Sequence, residues 1–365
     1  MSKKESILVI CNTPFQIIVA CHVLRCFYNG AEVDLYISSG IKGYENLVAN
    51  ARDTHMFRSV LPIEVEKVFR KGEGLLKLLQ YLLKRINEII QTIILANSIC
   101  KKQQYDIFLF SNISILTKRL TSLLTHISPA CKIEMFEEGT ITYTKQFADG
   151  DAQTTPYRRF VDKIGVINRL STLYVFNPMF LSWSPKNGQI IELPRLTNLS
   201  EDFTCNLNYI FGYNTSIDKY DKKLIFFEES HVMEGFEVPD IQILERIAQK
   251  IGKENIMVKI HPRNPVNRFA KLGYKTNVVT SIPWELIILN QPMADKILVT
   301  ISSGSVIYPY LYFGIRVKTY SLLNCLSERP GLMKGDNGIL MQRIYKTYPE
   351  VFEAPESLDE FINML

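Results

Sequence analysis

Short, almost wholly apolar runs alternate along this chain with longer amphipathic or polar stretches. The runs at residues 6–12, 32–39, 106–111, 132–137 and 173–176 predict strands, and the spacing between them leaves room for a helix or a long connection each time. That βαβ rhythm implies a parallel sheet. A polar, turn-rich stretch at 197–221 interrupts the series. A second series follows at 223–227, 256–260, 277–280, 296–301 and 316–320, with helical patterns at 240–251 and 284–290 between strands. Ser357 with Glu360 three residues later predicts the cap of a short final helix. At 365 residues the chain is longer than one core usually fills. The expected fold class is therefore α/β, with two Rossmann-like domains at 1–205 and 206–365.

The most lipophilic stretch, 75–99, is broken by Lys77, Lys84, Arg85 and Glu88, leaving too short an uncharged run to cross a bilayer. Leu75, Leu78, Leu79, Leu82, Leu83, Ile86, Ile89, Ile90 and Ile93 recur at helical spacing and predict a long helix with its stripe against the core. A lipid-facing or dimer-forming surface is the other use of such a stripe, so peripheral membrane association and a homodimer are the candidate assemblies. Residues 1–6 lead straight into an apolar strand without the core of a signal peptide. A cytoplasmic location is expected, at most at the inner face of the membrane. The seven cysteines are odd in number and scattered, with no CxxC pair, and predict reduced, buried thiols. A net charge of +5 without a run of five basic residues suits anionic small ligands and argues against a nucleic-acid partner.

Three strings stand where predicted strands stop, the edge at which open α/β sheets bind ligands. In Phe136-Glu137-Glu138-Gly139-Thr140, strand alternation sends one acid to that edge and the other away. A partly desolvated carboxylate there can serve as a general base, although two solvated loop charges would leave the same string. In Lys259-Ile260-His261-Pro262-Arg263, the proline holds His261 extended and ends the strand. Its imidazole can pair with a phosphate, or be a plain strand-end histidine. His22, His55, His126 and His231 lack such a context and are expected in structural or surface roles. In Ile301-Ser302-Ser303-Gly304-Ser305, hydroxyls and N–H groups at a helix start can cradle one phosphate, or simply cap the helix. No GxxxxGK[ST] loop accompanies it. Asp149-Gly150-Asp151 is predicted to be a turn in a polar loop and not a metal site.

With Cys11-Asn12-Thr13-Pro14-Phe15-Gln16 after the first strand, these strings resemble those of bacterial sialyltransferases, above all the lipooligosaccharide and capsule enzymes of glycosyltransferase family 52. The [DE]-[DE]-G motif is Glu137-Glu138-Gly139, the HP motif is His261-Pro262 and the paired-serine motif is Ser302-Ser303. The resemblance implies a GT-B fold, two facing Rossmann-like domains with a deep cleft between them. It implies CMP-N-acetylneuraminic acid (CMP-Neu5Ac) on the second half, and on the first a surface-glycan acceptor ending in a galactoside. Glu138 would be the base toward the acceptor hydroxyl, and His261 the acid or stabilising partner of the departing phosphate. Ser302 and Ser303 would hold that phosphate, and Glu285 the ribose, although a first-turn acid of a helix also explains Glu285. Thr13, Gln16, Gly139 and Pro262 complete the implied binding residues. Glu138 stands where many relatives carry Asp.

The implied reaction is inverting and uses neither a cofactor nor a metal, because a single phosphate's charge can be met by His261 and oriented N–H groups. Two other functions fit the same scaffold. One is a hexosyltransferase using a nucleotide diphosphate sugar, and the other a non-catalytic polysaccharide-assembly protein.

Overall fold

A computed structural model describes residues 4–64, 75–152, 165–230, 236–328, 333 and 335–365. The chain divides into two compact units, Met1–Leu193 and Pro194–Leu365. A boundary at 205/206 would cut the helix Glu201–Phe211, which belongs to the second unit and lies within the stretch expected to be polar linker. Its apolar side, Phe203, Leu207, Ile210 and Phe211, is buried, which the surrounding polar residues hide from a reading by composition.

The first unit is a seven-stranded sheet built from β1 (Ser6–Cys11), β2 (Glu32–Ser38), β3 (Ser59–Ile63), β4 (Ile107–Phe110), β5 (Lys132–Phe136), β6 (Leu170–Val175) and β7 (Gln189–Glu192). The order is β3-β2-β1-β4-β5-β6-β7, and every pairing is parallel. Strands β1 and β4 are buried along their whole length, as expected where helices cover both faces and strands become continuous apolar runs. The edge strands β3 and β7 escape the sequence pattern for the same reason reversed. Strand β3 carries Pro62, tolerated at an edge, and β7 is largely exposed.

The second unit holds β8 (Leu224–Phe227), β9 (Ile256–Lys259), β10 (Lys275–Thr276), β11 (Ile297–Thr300), β12 (Lys318–Ser321) and β13 (Phe352–Glu353). Their order is β10-β9-β8-β11-β12-β13, again all parallel. Its core joins Leu224, Phe226, Val258 and Val299 to Leu244 and Ile247 of the helix Asp240–Ile251 and to Phe361 of the final helix Leu358–Met364. The strand expected at 277–280 is not formed. Asn277 instead turns its side chain to accept from Ile260 N (2.7 Å), and Asp218 takes the N–H groups of Val278 and Val279 (2.7 and 2.9 Å), so side chains satisfy backbone that a ladder would otherwise pair.

Three further expectations change. The helix Leu75–Lys102 forms, but among its described side chains Leu82, Leu83, Ile86, Ile90 and Ile94 are exposed and only Ala96 and Ile99 are buried, while the side chains of Leu75, Leu78 and Leu79 lie outside the described residues. A helix of 28 residues is about 42 Å long, roughly twice the length of a strand here, so the sheet cannot cover all of it. Asp149-Gly150-Asp151 lies in the helix Lys145–Ala152 and not in a loop. All seven cysteines are free, but Cys205 is exposed and Cys26, Cys100 and Cys325 are half-buried. His22 is buried and stacked on Phe176, while His231 lies outside the described residues. Among the described residues no helix is long and apolar enough to cross a membrane.

In both sheets the strand order reverses beside the first strand, between β1 and β4 and between β8 and β11. Helices leaving the two strands at such a reversal pass to opposite faces and open a crevice at the C-terminal edge.

Candidate functional site

At the edge of the first sheet, the two acids after β5 have opposite environments. Glu137 is fully buried. Its Oε2 accepts from the Tyr143 hydroxyl and from Phe176 N (3.0 Å), and the Tyr143 oxygen also accepts from Asn177 N (3.2 Å). Glu137 thus ties the turn after β5 to the end of β6. Glu138 is half-buried, its N–H donates to Thr142 Oγ1 (2.8 Å), and burial pushes its carboxyl up to about 7. Gly139, at φ 126°, makes the turn in backbone space that a side chain would strain.

Across the reversal point, Thr13 caps the helix Pro14–Phe27, its Oγ1 accepting from Gln16 N (3.3 Å). Gln16 is fully buried. Its Oε1 accepts from Asn12 N (2.6 Å) and its Nε2 donates to Glu138 Oε1 (3.4 Å). Asn12 Nδ2 donates to Asn112 Oδ1 (2.7 Å), joining the ends of β1 and β4. Asn12 Oδ1 and Ser111 Oγ are buried and make no hydrogen bond within the protein. Unspent polar groups beside an acid with a pKa near neutrality are what a hydroxylated ligand can engage. The structure therefore brings Glu138, Gly139 and Gln16 together, with Thr13 behind them as a helix cap.

The second sheet's edge is organised by residues the sequence reading passed over. Phe227-Glu228-Glu229-Ser230 ends β8 and repeats the pattern of Phe136-Glu137-Glu138-Gly139 at the end of β5. Once more the first acid is buried and the second half-buried. Glu228 accepts from His261 N (3.2 Å) and from Arg268 (3.1 Å), which also binds Asp240 (2.5 Å). Glu229 accepts from Thr300 Oγ1 (2.9 Å) and from both the N–H and the hydroxyl of Ser302. These bonds span the point where strand order reverses. The recurrence of an apolar run ending in Phe-Glu-Glu was the signal that could have found them.

The His261 turn is fixed on the same tripeptide. Arg263 donates to Ser230 Oγ (2.8 Å) and Asn264 Nδ2 to Glu229 O (3.0 Å). His261 Nδ1 accepts from Arg263 N (3.2 Å), so the neutral ring carries its proton on Nε2. Pro262 is exposed. Ser303 Oγ accepts from Ser305 N (3.3 Å) as cap of the turn Gly304–Ile307, and Ser303 N donates to Thr300 Oγ1 (2.8 Å). Of the two serines expected to hold a phosphate, Ser302 is turned to Glu229 and Ser303 caps the turn. A hydroxyl has one proton, and that of Ser302 is given to Glu229.

Glu285 lies in the first turn of the helix Trp284–Asn290, whose Trp284 Nε1 donates to Ser305 O (3.1 Å). It is only 4% exposed, so it sits behind the edge and not on it. Burial pushes its carboxyl up to about 7, with Lys259 pulling the other way, and burial lowers Lys259 in turn. Among the described residues no group of three His, Cys, Asp or Glu could hold a metal ion.

Comparison with solved structures agrees with this architecture. The UDP-GlcNAc 2-epimerase from Methanocaldococcus jannaschii is 11% identical with a TM-score of 0.54, covering 98% of this chain and 91% of that one. The glycotransferase of kitacinnamycin is 9% identical with a TM-score of 0.56, covering 97% and 86%. Arabidopsis thaliana UGT89C1, complexed with UDP-L-rhamnose, is 10% identical with a TM-score of 0.55, covering 100% and 89%. At such identities the likeness is one of fold, the GT-B type with two Rossmann-like units. No curated protein matches the chain. Residues 7–322, including all of the strings above, match the alpha-2,8-polysialyltransferase family. The match gives the broader resemblance to sialyltransferases and not the narrower placing in family 52. The chain belongs to the alpha-2,8-polysialyltransferase family and is a glycosyltransferase with the GT-B fold.

Proposed function

We propose that this protein is an inverting sialyltransferase that moves N-acetylneuraminic acid from CMP-Neu5Ac to the non-reducing end of a glycan. The observation that carries this reading is the match of most of the chain to a family named for alpha-2,8-polysialyl transfer. That name favours a sialic acid terminus as acceptor over the galactoside terminus implied by the motifs alone.

In this scheme the first unit takes the acceptor and the second the donor. Glu138, ionised above about pH 7, removes the acceptor hydroxyl proton as that oxygen bonds to the anomeric carbon. The bond from that carbon to the CMP phosphate breaks on the opposite side, and CMP leaves as an anion. The proton passes from Glu138 to solvent. His261 Nε2–H and the Ser303 hydroxyl, which accepts from Ser305 N and keeps its own proton to give, donate to the departing phosphate. Oriented donors of this kind meet charge as it develops. The scheme routes no step through a divalent cation, so transfer should persist in EDTA. Loss in chelator with recovery on adding Mg²⁺ or Mn²⁺ would contradict it.

Thermal shift with nucleotides tests the donor. A ligand that binds only the native state raises the melting temperature. CMP is expected to raise it and UDP to leave it unchanged. The reverse result would favour the hexosyltransferase reading.

A further inference from the structure

Beside Ser302 the second unit has a cavity of about 380 Å³, at the small end of ligand sites, with room for one monosaccharide and not for a whole nucleotide sugar. It opens among the ends of β11, β12 and β13 and the helix Asp336–Thr347, lined by Ser302, Leu323, Asn324, Met341, Gln342 and Tyr345 among others. We propose that this cavity is the donor-sugar subsite, taking the uncharged polyol and acylamino end of the sugar, with Tyr345 and Gln342 as binding residues. This rests on the donor reading given above.

Three observations carry it. The first is connectivity. In a CMP-sugar the anomeric carbon is bonded directly to a phosphate oxygen, so the sugar lies one bond from wherever the phosphate sits. A phosphate at the Ser302-Ser303 turn places it within reach of a cavity that Ser302 itself lines.

The second is the order of charge along the sheet edge. His261 and Arg263 stand on the β8–β9 side, where Arg268 is paired with Glu228 and Asp240, the serine turn lies at β11, and the cavity lies beyond it at β12 and β13. Among the described lining residues none is cationic, and Glu356 is acidic. The phosphate and the sugar carboxylate therefore find their cationic and N–H donors, Arg263 and His261, on the β8–β9 side, and the neutral part of the sugar faces the cavity.

The third is the chemistry of the lining. The Tyr345 hydroxyl is buried beside Ser321, another lining residue, while its ring is held flat against Phe352 (5.3 Å, 11°). It is a fixed hydroxyl on the cavity wall that a sugar oxygen can engage. Asn324 Nδ2 is already turned to Ala354 O (3.4 Å) and Glu356 Oε1 (3.2 Å), which leaves Gln342, exposed at the mouth, as the adaptable amide. Leu323, Met333 and Met341 supply an apolar wall that fits an acyl methyl.

The test compares calorimetric affinities for CMP and for a 3-fluoro analogue of CMP-Neu5Ac, which resists transfer. Gln342→Trp narrows the mouth from an exposed helix position, and Tyr345→Phe removes only the hydroxyl. Melting temperatures check that both variants fold. Each is expected to weaken the donor analogue, Gln342→Trp by about tenfold or more, while CMP affinity stays within about twofold. Equal losses for CMP and the analogue would assign the cavity to the nucleotide and overturn the proposal, as would unchanged affinity for both. Wild-type protein that binds neither compound would refute the donor reading itself and the subsite with it.

Discussion

Glu138→Gln should make the protein more stable at alkaline pH while making it a poorer enzyme. The reason lies in the burial of the carboxyl, which pushes its pKa from 4.5 to about 7. At about 1.4 kcal/mol per pH unit the ionised form is then costlier by about 3 kcal/mol in the folded protein, and partial exposure of the side chain reduces this to roughly 1–2 kcal/mol. Between pH 4.5 and about 7 the folded state keeps a proton that the unfolded chain has lost. Stability contributed by this site therefore falls as pH rises through that window and stays lowered above it. Glutamine removes the ionisation and keeps an oxygen that can accept from Gln16 Nε2. Urea melts of wild type and variant from about pH 4.5 to about pH 8 should diverge, with near-equal stability at the acid end and a variant more stable by about 1–2 kcal/mol at the alkaline end. Turnover should fall by roughly 10²- to 10⁴-fold, and wild-type kcat/KM should rise through about pH 7. A stability difference of one sign and size at every pH would refute the reasoning, because it would mean the carboxyl's ionisation is not opposed by its surroundings.

Tyr143→Phe should lower stability by about 1–3 kcal/mol, since it takes a donor from the buried Glu137 carboxylate, with little change in CMP affinity; denaturant melts beside calorimetry check this. Glu229→Ala should be destabilising by a similar amount, about 1–3 kcal/mol, because Ser302 N and Thr300 Oγ1 lose their acceptor, and a wild-type melting curve would show the turn held by other means. Ser303→Ala should weaken CMP binding by about 1.5–3 kcal/mol in calorimetry because its hydroxyl proton goes to the phosphate, and unchanged affinity would place the phosphate elsewhere.

The central strands were legible because parallel strands covered on both faces are apolar without interruption, as β1 and β4 are. Edge strands lack that signature, and β3, β7 and β13 went unread. Alternation implied that the two acids after β5 differ, because facing is a property of the strand alone, while the choice of Glu138 as base came from the family resemblance. The recurrence of Phe-Glu-Glu could have singled out Glu229, but its place behind Ser302 was not legible, since that depends on which strand ends become neighbours at the reversal of strand order. Nor was the burial of Glu285. Its place in a helix's first turn was readable, but the packing of that helix beside Lys259 is tertiary. The outward stripe of the helix Leu75–Lys102 shows the same limit, because periodicity gives a face but not what the face meets.

The most direct measurement is incubation of the purified protein with CMP-Neu5Ac and a short sialic acid-terminated acceptor, following CMP release and product mass together. The account predicts stoichiometric release of CMP and growth of the acceptor by one or more sialic acid residues, with Glu138→Gln nearly inactive under the same conditions. Growth of an acceptor only when a nucleotide diphosphate sugar replaces CMP-Neu5Ac would contradict it.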